Sequence, residues 1–202
     1  LYTGMLGVFT ARDLLLFYVF FEASLIPLFF LIGIWGHEDR RHAAVKFFVF
    51  TLAGSVLTFL GLLALVIWTA SYGAAGRITF SIPELSDRLS ELRSQGLLPL
   101  SVQLWIFWAL FIGFAVKVPL VPLHTWLPLA HVEAPTAASV LLAGILLKVG
   151  GYGFLRLVLP LVPDAVHTVG PWLLGVSVVG IVYGAFTAFA QHDIKRLIAY
   201  SS

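Results

Sequence analysis

The sequence has 202 residues, 60% of them apolar and 11% charged, with a mean hydropathy of +0.99. Soluble domains run nearer half apolar and a quarter charged, so this composition excludes a water-soluble globule and a disordered chain and implies an integral membrane protein. Twelve basic and ten acidic residues leave a formal charge of only +2 despite a pI of 9.1, no footprint for nucleic acid, and the lack of cysteine excludes disulfides, thiolate ligands and cysteine-held iron–sulfur clusters.

A helix needs about 20 apolar residues to cross the hydrocarbon core. Residues 1–10 are too short for that and read as the tail of a helix that begins upstream. No charged signal-peptide segment precedes the first apolar run. A first span runs over 14–35, interrupted only by Glu22 and Pro27. A polar turn, His37 to His42, leads to a second span over 43–70, with Lys46 placed to snorkel to the interface. Residues 71–96 carry most of the mixed charges. There Ile82, Leu85, Leu89 and Leu92 recur at helical steps, which suits an amphipathic interfacial helix, with a solvated loop as the alternative.

The third span, 97–129, contains Lys117, Pro119 and Pro122. Proline has no amide hydrogen and clashes with the preceding turn, so the helix breaks near residue 119. At membrane depth such a break is tolerated only against protein or a water-lined cavity, which makes it a candidate transport site. The fourth span covers 135–159 and the fifth 171–190, and a charged turn, His192 to Arg196, opens a sixth, partial helix. The sequence thus reads as one polytopic all-α membrane bundle, part of a longer chain. Arg40, Arg41, Lys46, Lys195 and Arg196 thread to one face and Arg12, Arg77, Arg88, Arg93 and Arg156 to the other. The first group sits in short loops, so its face is expected to be cytoplasmic.

Three ionisable residues lie deep in these apolar runs: Glu22, Lys117 and Lys148. A charge at a helix centre costs about 2.5–3.5 kcal/mol on the insertion scale, so the three together cost roughly 7–10 kcal/mol. Either they fix helix packing by pairing, or they carry ions. An ammonium and a carboxylate that approach in an apolar layer favour their charged forms, and separated they favour neutral ones, so a pair that can part is a switch of proton affinity. Gly113 and Gly144 each precede a lysine by one helical turn, which leaves room for a water or a facing helix. His124, just past the break, can relay a proton through its two nitrogens or bond a freed carbonyl. His131 and Glu133 fall at the membrane surface, and His37, His42, His167 and His192 read as loop residues. None has the spacing of a metal site, so no metal is expected.

Several segments resemble one family. Phe17 to Pro27, around Glu22, is similar to the carboxylate-bearing helix of the antiporter-like membrane subunits of respiratory complex I, the NADH:quinone oxidoreductase. Ala115 to Pro128, with Lys117 and His124, resembles their broken helix. Ala130 to Thr136, Leu142 to Gly153 and Asp193 to Ser202 continue the likeness, nearest in pattern to the subunit M (mitochondrial subunit 4) branch. The resemblance implies inverted five-helix repeats, most of the second lying outside these residues, and a proton relay of Glu22, Lys117, His124 and Lys148. It implies redox chemistry confined to partner subunits, so no cofactor in this chain, with NADH and quinone reached only through them. Neighbouring antiporter-like subunits, the lipid bilayer and a bacterial cytoplasmic (inner) membrane location follow from it, and no nucleic acid. A multi-subunit Na+/H+ antiporter, a membrane-bound hydrogenase subunit and a non-transporting scaffold are the alternatives.

Overall fold

The computed structural model describes residues 1–73 and 76–202. Among the described residues the regular structure is helical, with one isolated β-bridge between Asp13 and Ser81. A short helix α1 (Tyr2–Thr10) packs against α2 (Leu14–Trp35). The Asp13 carboxylate caps α2 by accepting from the amides of Leu15 at 2.9 Å and Leu16 at 3.0 Å, the usual way an aspartate satisfies free N–H groups at a helix start. A turn at Ser24 interrupts α2 directly after Glu22, and its hydroxyl donates to the Phe21 carbonyl at 2.8 Å.

Helix α3 (Arg40–Tyr72) has 33 residues. At 1.5 Å per residue it is roughly 50 Å long, so it tilts or projects beyond the ~30 Å hydrocarbon core. The amphipathic segment forms α4 (Ile82–Ser94), whose buried residues are Ile82, Leu85, Leu89 and Leu92, the periodic set read from the sequence. Ala74 and Ala75 of that stretch lie outside the described residues.

The third span divides into α5 (Leu100–Lys117) and α6 (Trp126–Glu133), with the break over 118–125. Helix α7 (Thr136–Leu161) follows, then α8 (Pro163–Phe189) and α9 (Ile194–Ser201). Helix α8 starts eight residues before the expected span. Pro163 occupies its first position, where no donor is needed, and Pro171 lies inside it, removing one helical hydrogen bond without ending it. His42 and His167 accordingly sit on α3 and α8, not in loops. Among the described residues five helices, α2, α3, α5, α7 and α8, are long and apolar enough to cross a membrane.

The helices assemble around two apolar clusters. One holds Phe17, Phe21, Leu62, Phe107, Phe114 and Val149, and the other Leu25, Leu28, Phe47, Val116, Trp126 and Leu147. Between them α3 and α5 cross closely: a Cβ on Gly113 would collide with Thr58 Oγ1 and the Gly54 carbonyl. Small residues permit such approach where backbones must nearly touch.

The two membrane faces are tied differently. On one, Ile82 donates to the Arg12 carbonyl and Leu14 to that of Phe80, both through backbone amides, at 2.9 and 2.8 Å. There Arg93 pairs with Asp164 (Nε to Oδ2, 2.8 Å), and the fully buried Gln103 donates to the same Oδ2 at 2.8 Å, fastening α4 to α5 and α8. On the opposite face the His37 amide donates to the Glu133 carbonyl at 2.9 Å, the Glu133 carboxylate accepts from the Asp39 amide at 3.0 Å, and Lys195 joins them.

Candidate functional site

The boundary between the two apolar clusters falls at one level on every helix that carries an intramembrane charge. On α2 Glu22 lies between Phe21 of one cluster and Leu25 of the other. On α5 Lys117 adjoins Ala115 and Val116, and on α7 Lys148 lies between Leu147 and Val149. Glu22 comes eight residues after the start of the 22-residue α2, roughly 12 Å along its axis. Lys148 comes twelve residues into the 26-residue α7, roughly 18 Å from its start. The three residues therefore occupy a polar layer within the membrane.

Glu22 and Lys117 are brought together. The Lys117 side chain is 1% exposed, its Nζ lies 4.6 Å from the centroid of the Phe21 ring, and it has no hydrogen-bond partner. Glu22 Oε1 is likewise buried and without a partner. The two groups interact electrostatically, yet they form no ion pair within 4.0 Å; among the described residues Glu84–Arg88 and Arg93–Asp164 do. Lys117 Nζ and Glu22 Oε1 are therefore not compensated by contact with each other, a costly arrangement for the enclosed ammonium in an apolar layer. Helix α3 carries a stripe of buried hydroxyls, Thr51, Ser55 and Thr58. Ser55, whose hydroxyl donates to the Leu52 carbonyl at 2.9 Å, stands beside Glu22 and Tyr18.

The break beyond Lys117 is closed without leaving its carbonyls bare. Pro119 cannot donate to the Ala115 carbonyl, so the Leu120 amide does so instead at 2.9 Å. The Trp126 indole returns from the far side to the Val116 carbonyl, also at 2.9 Å. His124 sits in the break with its Nδ1 buried and unpartnered, edge-on to Tyr183 of α8 (5.4 Å between centroids) and Tyr200 of α9 (6.4 Å). These side chains border a cavity of about 550 Å³.

Lys148 is placed otherwise. It is exposed on the surface of this chain and edges a separate recess of about 400 Å³ with Leu147, Gly151, Tyr152 and Leu155. Val118 and Ser202 line both this recess and the His124 cavity, so the two adjoin. Two π-helical turns, Leu142–Leu146 and Phe154–Val158, flank the α-helical stretch that carries Lys148. Such turns rotate the helix surface locally and recur at functional sites. The two glycines spaced one turn before the lysines also differ. The room beside Gly113 is filled by α3, whereas Gly144 meets nothing within 4 Å.

Some of the surrounding residues had no signal of their own in the sequence. Tyr183 and Tyr200 are ordinary for membrane helices, and only the fold brings them to His124. His131 is 4% exposed with an unpartnered Nε2, deeper than a surface position implies. Among the described residues no cluster of three or more His, Asp or Glu side chains is arranged to hold a metal.

Comparison with known proteins bears on the family of the chain as a whole. Residues 11–202 match the family described as NADH:quinone oxidoreductase/Mrp antiporter, transmembrane. NADH-quinone oxidoreductase subunit M of Rickettsia bellii is 46% identical over 197 residues, covering 98% of this chain and 37% of that protein. A chain of respiratory complex I from Thermus thermophilus with bound NADH superposes with a TM-score of 0.84 at 37% identity, covering 98% of this chain and 39% of that one. A chain of the Mrp complex from Dietzia sp. has a TM-score of 0.80 at 26% identity, covering 98% and 20% respectively. The chain thus spans little more than a third of the length of its subunit M relative. With the match extending over nearly all its residues, the chain belongs to the NADH:quinone oxidoreductase/Mrp antiporter transmembrane family.

Proposed function

We propose that this chain is part of a proton-translocating membrane subunit of the subunit M type in an NADH:quinone oxidoreductase, seated in a bacterial cytoplasmic membrane beside other membrane subunits. Protons pass through Glu22, Lys117, His124 and Lys148, driven by redox chemistry in partner subunits that bind NADH and quinone; no cofactor is assigned to this chain. The observation that carries the reading is the pair of buried, unpartnered charge carriers, Glu22 Oε1 and Lys117 Nζ, near each other but not in contact. A packing device closes such a pair into hydrogen bonds, because an unpaired buried charge is expensive. A pair held just open can trade a proton when a small movement changes their separation. The adjoining His124 and Lys148 recesses supply an onward direction.

Replacing Lys148 with Met in the full-length chain within the assembled complex tests the relay. Lys148 is exposed on this chain, so the fold survives the change. NADH-driven proton pumping in sealed vesicles and quinone-linked turnover are expected to fall together while assembly is unchanged. Normal pumping would remove Lys148 from the relay and favour a scaffold role for the layer.

A further inference from the structure

Lys195 joins three segments at one membrane face. Its Nζ donates to the carbonyls of Ala134 at 3.2 Å and Val132 at 3.4 Å and contacts His37 Nε2 at 3.1 Å. Val132 and Ala134 close α6, and the backbone turns extended at Ala134, so their carbonyls lie past the reach of the helical ladder and need an outside donor, and a cation suits the negative end of a helix. His37 belongs to the turn between α2 and α3. Lys195 itself lies in the first turn of α9, whose start is fixed by Asp193 accepting from the Lys195 amide at 3.0 Å. Helix α9 then runs five residues, roughly 7.5 Å along its axis, to Tyr200, which borders the His124 cavity with Ala199, Ser201 and Ser202.

We infer that Lys195 is a positioning residue for the His124 step: by capping α6 and bonding His37 it holds α9 so that Tyr200 closes the cavity beside His124. The inference rests on the relay reading given above. The ammonium is a donor only, so His37 must present a lone pair at Nε2; a protonated His37 has none and repels Lys195. The contact is exposed and open to bulk protons. The other ionisable groups around it are the buried His131 and the Glu133 carboxylate on α6, Glu38, Asp39 and Arg40 beside His37, and His192, Asp193 and Arg196 beside Lys195. The Glu133 carboxylate is held by the Asp39 amide, Arg40 by the Gly36 carbonyl and Asp193 by the Lys195 amide, which leaves the His37–Lys195 contact as the tie that acid breaks.

The test uses the full-length chain in the intact complex, with four variants measured together: Lys195→Met, Lys195→Arg, His37→Gln and His124→Gln. Lys195→Met is expected to lower proton pumping several-fold, and Lys195→Arg to restore most of it. The unaltered protein is expected to lose pumping on acidification as His37 is protonated, whereas His37→Gln keeps an acceptor that takes up no proton and is expected to pump normally at pH 7.5 and to keep pumping at lower pH. Should Lys195→Met fail to assemble, the His37→Gln pH profile decides alone. An unchanged acid-side decline in His37→Gln, or full pumping by Lys195→Met while His124→Gln is impaired, overturns the positioning role. Full pumping by His124→Gln instead overturns the relay reading on which it rests.

Discussion

Lys117 shows at the scale of one residue what the polar layer costs. Its ammonium is enclosed, lies 4.6 Å from the centroid of the Phe21 ring and makes no hydrogen bond. An isolated charge at that depth carries a penalty of about 2.5–3.5 kcal/mol on the insertion scale. Lys117→Met removes the charge and fills the same volume, so the detergent-solubilised protein should unfold at the same or a higher temperature, stabilised by up to ~3 kcal/mol. A lower unfolding temperature would mean that the amine has a partner that stabilises the fold. Glu22, Lys117 and Lys148 were legible in the sequence because a charge inside an apolar run stands out against its neighbours. Which of them meet was not legible, because Glu22 and Lys117 are joined by the crossing of α2 and α5 while Lys148 points out of the bundle. Nor was the His37–Lys195 contact, between residues 158 positions apart, since neither is unusual for a membrane-face loop.

Among the elements, the broken helix and the interfacial helix were the most readable. Proline chemistry dictates the first, and the three- and four-residue recurrence of Ile82, Leu85, Leu89 and Leu92 the second. The π-helical turns of α7 were not readable, since they follow from how a Gly-rich helix settles against α5. The glycines of the two lysine helices should respond oppositely to a methyl group. Gly113→Ala forces α3 and α5 apart and is expected to cost ~1–3 kcal/mol of stability, whereas Gly144→Ala, facing open space, should be close to neutral. Equal unfolding temperatures for the two variants would contradict the close crossing. At the start of α4 the Thr79 hydroxyl donates to Glu84 Oε2 at 2.7 Å and, with Arg88 beside it, holds the carboxyl below its ordinary value. A depressed folded value means that the contact stabilises α4 above the ordinary glutamate range and is lost as the pH falls through the folded value. The protection of amides at the start of α4, measured against the intrinsic exchange rate at each pH, should therefore fall on acidification, and Thr79→Val should bring that onset to higher pH; identical protection profiles would show that Thr79 plays no part.

In the molecule as a whole, the all-α membrane class follows from composition alone, and the division of the core into two apolar clusters does not. That division is a property of packing: each cluster is assembled from α2, α3, α5 and α7, and the charges collect where the clusters part. The chain's outer surface is equally informative, since α8 presents Trp172, Leu174, Ile181 and Phe186 outward and none of its most apolar window is buried. Such a face suits lipid or further protein in the membrane. A Glu22–Lys117 layer that moves protons and one that only packs helices respond differently to Glu22→Gln, because the amide keeps the shape and removes the titration. In the assembled complex with the full-length chain, a proton-carrying layer gives normal assembly with NADH-driven proton pumping and quinone-linked turnover falling together. Normal assembly with unchanged pumping would contradict it.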